Sequence, residues 1–334
     1  MRLVYKDVPD PVIHSNEVLV KVMACGICGS DVHGLDGSTM RRIPPVIMGH
    51  EASGIIVETG IDVRGWKPGD RVTFDSTVYP LDDWYTLEGM YNLSDNREVF
   101  GVSTGIYNRD GAFAEFIAVP QHILYKIPEN VTFEQAAMTE AVAVALHSIN
   151  ISGIKTGDKC VVVGAGMIGT CILKLLKMTG ASKIIAIDIN SIRLERAEIA
   201  GADYTFLSQE ENLDEKIKVL TQLRGADISF EAVGKSDSVI IAIDILRKGG
   251  KAVLIGNISA DIDFPLQKVV TRELKVLGSC AIRGEYEVVL NLMETGKISV
   301  DDQISVVAPL SEGAVWFDKL YRKNDDLNKV ILVP

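Results

Sequence analysis

The sequence lacks any apolar run long enough to cross a membrane: its longest uncharged stretches, such as Cys160–Leu173, fall short of the roughly 20 apolar residues a span needs. Its start, MRLVYKDVPDP, has no basic segment followed by an apolar run and a small-residue cleavage site, so no secretory signal is read there and a cytoplasmic location is expected. Positive charge is in deficit, with 34 Lys and Arg against 45 Asp and Glu and a net charge of -11. That balance argues against broad nucleic-acid binding, which normally shows a basic patch. Cysteine is sparse and odd in number, five in 334 residues, at positions too scattered for a disulfide framework. The cysteines are read as reduced thiols, with Cys160 and Cys171 as small core hydrophobes. No solenoid-type repeat or low-complexity tract occurs.

What is present suffices for two domains, since 47% hydrophobic content in a chain of this length can fill two cores. Up to about residue 130 the pattern is of short strands broken by turn residues, as in NEVLVKVMA, GHEASGIIVETG and KPGDRVTF. From about 155 the texture changes to strand, glycine loop, helix and strand, which implies βαβ units and a parallel sheet. KCVVVGAG and KIIAID read as strands, and MIGTCILKLLKMTG as a helix that stops at Gly180. SIRLERAEIAGA reads as a helix entered at Asn190 or Ser191 and ended near Gly201. ADISFEAVG, KAVLIGN and ELKVLGSCA are later strands, with the helix SVIIAIDILRKGG before the second of them. A helix, EYEVVLNLMETGK, and a final strand, NKVILVP, return the chain to the first domain.

Gly164-Ala165-Gly166-Met167-Ile168-Gly169 is a G-x-G-x-x-G whose context makes it specific. A buried-strand run precedes it, a helix follows, and Asp188 ends the next strand, 19 residues past Gly169. In that reading Gly164 permits the tight turn, Gly166 lets the backbone approach a pyrophosphate, and Gly169 lets helix and strand pack. The helix start, with Met167 and Ile168, supplies free N–H groups to the phosphates. Asp188 would accept hydrogen bonds from both adenosine ribose hydroxyls and repel a 2′-phosphate, favouring NAD, while Arg193 in the next helix could accommodate a phosphate.

CGICGSDVH places Cys25 and Cys28 three apart, without a second Cys-x-x-Cys elsewhere. MGHEASG supplies His50 and Glu51, and MTEAVAVALH places Glu140 in an otherwise apolar helix, where a carboxylate requires a partner or a metal. Cys28, His50 and one carboxylate would give Zn²⁺ three accepted ligands and leave a position open, as in a catalytic site.

Through GICGSDVH, GHEASGIIVETG, KPGDRV, DGAFAEF, the TE…AVALH helix, the glycine loop with Asp188, and RELKVLGS, the chain resembles the zinc-dependent medium-chain dehydrogenases, nearest the sorbitol (polyol) and threonine dehydrogenase groups. The resemblance covers essentially the whole chain. It implies an α/β protein with a GroES-like β-rich catalytic domain over 1–145 and 285–334, and a Rossmann doubly wound parallel-sheet domain over 146–284 that binds NAD. It also implies that Cys28, His50 and Glu51 or Glu140 bind one catalytic zinc, that Ser30 takes the substrate's proton, that His33 relays it, and that Asp31 orients His50. The implied activity is NAD-dependent oxidation of a secondary alcohol, a polyol, sugar or cyclitol, in a cleft between the domains. A threonine-type amino alcohol dehydrogenase and a non-catalytic NAD-binding redox sensor or structural protein are the alternatives. Relatives form dimers or tetramers, so a homo-oligomer is expected, with no nucleic-acid or membrane partner.

Three departures from the pattern stand out. The lobe PLDDWYTLEGMYNLSDN has Pro80, Asp83, Thr86 and Ser94 where many relatives have the four cysteines of a structural zinc, so no structural zinc is expected and packing of Trp84, Tyr85, Met90, Tyr91 and Leu93 is expected to hold the lobe. Gly34 stands where polyol dehydrogenases have an aromatic residue, and Ala281 where they have an arginine, with Arg283 offset by two. The chain also begins further in than typical members, so the first strand pair of its β-rich domain is expected to be truncated.

Overall fold

The computed structural model describes residues 3–35, 37, 42–102, 109–322 and 327–334. Two compact units emerge, one from Met1–Ala143 with Ala281–Pro334 and one from Val144–Cys280.

In the first unit the alternating run EVLVKVMACG forms the central strand, Glu17–Gly26, whose inward residues Val18, Val20, Val22 and Cys25 are buried. It lies between antiparallel partners: Glu51–Thr59 along one edge and, along the other, Phe116–Pro120 at its start and the terminal strand Lys329–Val333 at its end. Arg71–Phe74 and Leu124–Lys126 extend the sheet on one side, and Ile304–Pro309 adds a parallel strand on the other. The tail of the chain thus completes a sheet begun near its start. Val18, Val20, Val72, Phe74, Phe100 and Ile117 fill one core of the unit. Residues 3–16 carry no strand.

The second unit is a six-stranded parallel sheet in the order Tyr204–Leu207, Lys183–Asp188, Lys159–Val163, Ala226–Glu231, Leu246–Leu254, Lys275–Gly278. The chain winds outward from Lys159–Val163 to one edge and then returns to its other side, so the order reverses between Lys159–Val163 and Ala226–Glu231. The carboxyl ends of such a strand pair are where open α/β sheets bind ligands. β-Branched runs form the strands because both faces are covered, and Val161, Val163, Ile185 and Ile187 are buried in the core.

Helix Ser191–Ala200 is capped by the Asn190 side chain and ends at Gly201 in the left-handed conformation, as expected. Helix Met167–Leu176 stops short of Gly180, with turns covering the remainder. The stretch SVIIAIDILRKGG differs from its reading: only Ser236–Asp244 is helical, and LRKGG already belongs to strand Leu246–Leu254. Burial of Leu246 against Ala226 on the neighbouring strand outweighs the local helical spacing. Cys160 and Cys171 are fully buried. No helix among the described residues is long and apolar enough to cross a membrane.

The lobe in the first unit is held by hydrogen bonds as well as by part of the expected packing. Trp84 is 62% exposed and Leu93 is also exposed, and the Trp84 ring lies edge-on to Tyr85 at 5.0 Å. Asp83 caps helix Trp84–Leu87 by accepting from the Thr86 N–H at 2.8 Å, and accepts from Ser94 Oγ at 2.5 Å. Ser94 Oγ also receives the Asn96 N–H at 3.3 Å, and the Tyr79 and Tyr91 rings stack at 4.1 Å. Three of the four positions that match the cysteines of relatives are therefore tied together by hydrogen bonds.

Candidate active site

The CGICGSDVH stretch leaves the central strand at Gly26 and turns into the short helix Gly29–Gly34. Cys28 caps that helix: its Sγ accepts from the Ser30 N–H at 3.5 Å, while Asp31 Oδ2 accepts from the Cys28 N–H at 3.3 Å. Ser30 Oγ lies 3.3 Å from Cys28 Sγ. Ser30 and His33, three apart on the helix, share one face, and Asp31 points inward and is fully buried. Cys25 takes no part, being buried in the apolar core of the sheet.

Antiparallel pairing sets Glu51 opposite Gly26, which brings the MGHE segment to Cys28. A Cβ on Gly26 would fall 2.3 Å from Glu51 Oε2, so the missing side chain at Gly26 gives the carboxylate its place. The Cys28, His50 and Glu51 ligand atoms all lie within 4.8 Å of one another, and they form the one such group among the described residues. Sulfur, imidazole nitrogen and carboxylate oxygen make a donor set that suits Zn²⁺.

The charges around this group are strongly coupled. Burial alone would raise the Asp31 carboxyl, but the facing His50 and Arg42 outweigh it and hold it at about 2. Burial would likewise lower the His50 ring, yet Asp31 and Cys28 outweigh it and hold the imidazole well above its usual range. The carboxylate of Asp31 and the sulfur of Cys28 thus favour positive charge at His50, and a dication bound there would supply it. His50 Nδ1 faces Asp31 Oδ1 at 3.5 Å, too long for a strong hydrogen bond, and has no closer partner. Glu51 is buried and accepts from Lys329 Nζ at 2.5 Å through Oε2. Burial of Lys329 opposes its charge, but Glu51 outweighs this and holds it above the usual range. Glu140, in the first turn of helix Thr139–Ser152, accepts from Ser76 Oγ through Oε1 at 3.4 Å. Burial pushes its carboxyl up to about 7, with His50 opposing and Glu51 adding to the shift.

In the second unit the glycine loop has the geometry its spacing predicts. Gly164 lies in the left-handed region, with φ +96. A Cβ on Gly169 would sit 1.8 Å from the Gly164 carbonyl, so helix and strand meet only because that position is bare. Gly166 is different: a Cβ there meets nothing within 4 Å, so packing does not demand the glycine. Its bare backbone opens onto the start of helix Met167–Leu176, where no side chain caps the free amides of Met167 and Ile168. That cradle suits a pyrophosphate. Asp188 is buried at the end of its strand and accepts from the Ala165 N–H at 2.7 Å and the Asn190 N–H at 3.0 Å. Arg193 Nη1 lies 3.8 Å from Asp188 Oδ1.

Residues 14–129 match the family described as alcohol dehydrogenase GroES-like domain, and residues 168–295 that described as zinc-binding dehydrogenase. A sorbitol dehydrogenase of Halalkalibacterium halodurans is 34% identical over 332 residues, which span 98% of this chain and 94% of that protein. The chain belongs to the zinc-binding alcohol dehydrogenases. This dehydrogenase is also similar to D-xylulose reductase A of Aspergillus niger, at 33% identity over 328 residues covering 96% of this chain and 90% of the relative. Among solved structures, a zinc-binding dehydrogenase of Sinorhizobium meliloti 1021 bound to NADP superposes with a TM-score of 0.89, at 30% identity, covering 98% of this chain and 95% of the other. The dehydrogenase is thus an α/β oxidoreductase of a family that uses zinc and a nicotinamide cofactor.

Three residues of the site escaped the sequence reading. Lys329 carries a signal, a lysine opening an apolar terminal strand, but its partner lies 278 positions away. Ser76 and Arg42 carry none, since neither interrupts a periodic pattern. At the position where polyol dehydrogenases have an arginine, Ala281 adopts a left-handed φ of 51, and the Arg283 backbone N–H donates to Glu285.

Proposed function

We propose that this dehydrogenase reversibly oxidises a secondary alcohol of a polyol to a ketone, with hydride passing to NAD⁺. The observation that carries the reading is the convergence of Cys28, His50 and Glu51 within 4.8 Å, with the Ser30 hydroxyl 3.3 Å from the cysteine sulfur. Cys28 Sγ, the His50 ring nitrogen other than the Asp31-facing Nδ1, and Glu51 would hold zinc. Lys329 engages Oε2 of Glu51 and leaves Oε1 for the metal, and Glu140 stands close enough in charge to feel both His50 and Glu51. When bound, zinc supplies a Lewis acid that lowers the pKa of the substrate hydroxyl.

The remaining work falls to side chains of this chain. Ser30 Oγ accepts the proton of the substrate hydroxyl, and His33, one turn further along the same helix, passes it on. Asp31 keeps the His50 ring turned toward the metal position. The bare backbone at Gly166 and the amides of Met167 and Ile168 seat the pyrophosphate of the cofactor. Asp188 selects NAD, because its buried carboxylate would lie against a 2′-phosphate. Arg193 softens that choice rather than reversing it, since Asp188 already engages it. A polyol is favoured because the relatives named above act on sorbitol and D-xylulose.

The test is a panel of sugar alcohols, sugars, inositols and threonine for NAD⁺ and NADP⁺ reduction, with zinc quantified on the same sample. Polyol-dependent NADH formation with one zinc per chain is expected. Activity on threonine alone would assign the amino alcohol chemistry, and a metal-free protein inert toward every alcohol would leave a dinucleotide-binding protein without catalysis.

A further inference from the structure

Arg42 is a charged side chain with 4% of its surface exposed, and no step outlined above uses it. Its Nη2 donates to Asp31 Oδ1 at 2.9 Å and to Ser30 Oγ at 3.3 Å. Its Nε reaches the same Asp31 oxygen at 3.3 Å, and that oxygen is the one facing His50 Nδ1. One guanidinium therefore touches both the hydroxyl assigned to accept the proton and the carboxylate assigned to orient the metal-binding histidine.

Chemistry gives the contact with Ser30 a direction. A guanidinium only donates and stays protonated, whereas a hydroxyl has one hydrogen and two lone pairs. With Arg42 on one lone pair, the second lone pair is left for the substrate proton, and the hydroxyl's own hydrogen, which rests on Cys28 Sγ, is the one that turns toward His33 as that proton arrives. Without Arg42 only the contact with Cys28 would hold the hydroxyl.

The helix that carries Ser30 makes room for this arrangement. A Cβ on Gly34 would fall 2.4 Å from Arg42 Cγ and 3.2 Å from its Cβ. Gly34 ends the helix Gly29–Gly34 without a left-handed φ, so its backbone does not require glycine. What requires it is the Arg42 side chain lying across it.

We infer that Arg42, admitted by the bare Gly34, is a positioning residue for proton transfer that fixes Ser30 Oγ and the His50-facing oxygen of Asp31 in one arrangement. The inference rests on the reading of Ser30 as proton acceptor in zinc-dependent polyol oxidation.

The experiment uses the full zinc-loaded chain with NAD⁺ and the polyol that the wild type oxidises best. Arg42→Met, Arg42→Lys and Gly34→Ala are made alone and on a Ser30→Ala background, with zinc per chain and thermal melting measured alongside. Arg42→Met and Gly34→Ala are expected to lower kcat by about tenfold or more, with KM moving less than about twofold and zinc retained. Arg42→Lys keeps a charge for Asp31 and restores the melting temperature, but a single ammonium does not reproduce the fork and kcat stays low. On the Ser30→Ala background most of that loss disappears, because the hydroxyl they position is gone, and only the share carried through Asp31 remains. Unchanged kcat in both Arg42→Met and Gly34→Ala would overturn the inference, as would a full-sized loss that persists without the Ser30 hydroxyl. Should Arg42→Met fail to fold, Gly34→Ala decides, since it keeps the charge and suits a helical backbone. A wild type without zinc or polyol activity would instead sink the functional reading and this inference with it, whereas an active wild type indifferent to Gly34→Ala sinks this inference alone.

Discussion

Lys329, in the last described strand, donates to Glu51 at the start of the strand that follows His50, and both side chains are at most 2% exposed. Lys329 Nζ also reaches the Ile27 carbonyl at 3.2 Å, one residue before Cys28. The pair ties the tail of the chain to the two segments that carry the candidate ligands. Removing one partner of a buried pair leaves an uncompensated charge, so Lys329→Met should cost about 3–5 kcal/mol in denaturant unfolding of the zinc-free protein. Added zinc should recover part of that loss, because a dication at Glu51 supplies the missing charge. Equal unfolding midpoints in wild type and variant would contradict the pair's role.

Cys25 and Cys28 should separate cleanly. Cys25 is buried among apolar side chains, and burial pushes its thiol well above the usual range, so Cys25→Ser should keep zinc and turnover while losing about 1–3 kcal/mol of stability to a poorly satisfied hydroxyl. Cys28→Ser should lose zinc and activity together. Zinc analysis of the two purified variants reads the difference, and loss of zinc in Cys25→Ser would overturn this division of roles.

Asp75 gives a pH dependence of stability that arises outside the Cys28, His50 and Glu51 group. It is buried, accepts from the Thr77 N–H at 2.9 Å and the Tyr91 hydroxyl at 2.8 Å, and that hydroxyl in turn accepts from the Gly284 N–H. Burial pushes its carboxyl up from the ordinary 3.8 to about 7, with those hydrogen bonds opposing in part. A group raised on folding contributes stability below its unfolded value and loses it as pH rises through the folded one, so the contribution fades between about pH 4 and pH 7. Asp75→Asn should therefore melt nearest wild type at about pH 4 and gain stability relative to it as pH rises to 8, on the order of 4 kcal/mol. Melting curves that run parallel across that range would show that Asp75 does not titrate in this way.

Asp188 should govern cofactor choice. Asp188→Ser should weaken NAD⁺ use and improve the ratio of kcat/KM for NADP⁺ over NAD⁺, since the repelling carboxylate goes while Arg193 remains beside the site. The comparison needs both cofactors with one polyol, and an unchanged ratio would remove Asp188 from the selection.

How much of this was legible in the sequence depends on range. The second unit reads well because its signals are local: a β-branched run, a bare glycine turn, a helix opened by Asn190 and closed by Gly201. Its one misreading, LRKGG, is a stretch where burial across the sheet overrides local spacing. The metal site is the opposite case. Cys28, His50 and Glu51 come together through antiparallel strand register, so no spacing reveals them, and it was the donor chemistry of a cysteine, a histidine and a carboxylate, together with the resemblance, that pointed there. Lys329 and Arg42 answer charges that appear only on folding. The lobe was legible only in part: Trp84 looks like a core residue but is exposed, and hydrogen bonds from Thr86 and Ser94 to Asp83 support the loop alongside the stacking of Tyr91 on Tyr79.

The central claim is that Cys28, His50 and Glu51 hold one zinc on which polyol oxidation depends. Titrating zinc into chelator-treated protein while following NADH formation with the best polyol tests it most directly, with His50→Ala as the matched variant. The account predicts activity that rises linearly and saturates at one zinc per chain, and a variant that neither retains zinc nor gains activity. Full activity in the metal-free wild type, or saturation in His50→Ala at the same zinc ratio, would contradict it.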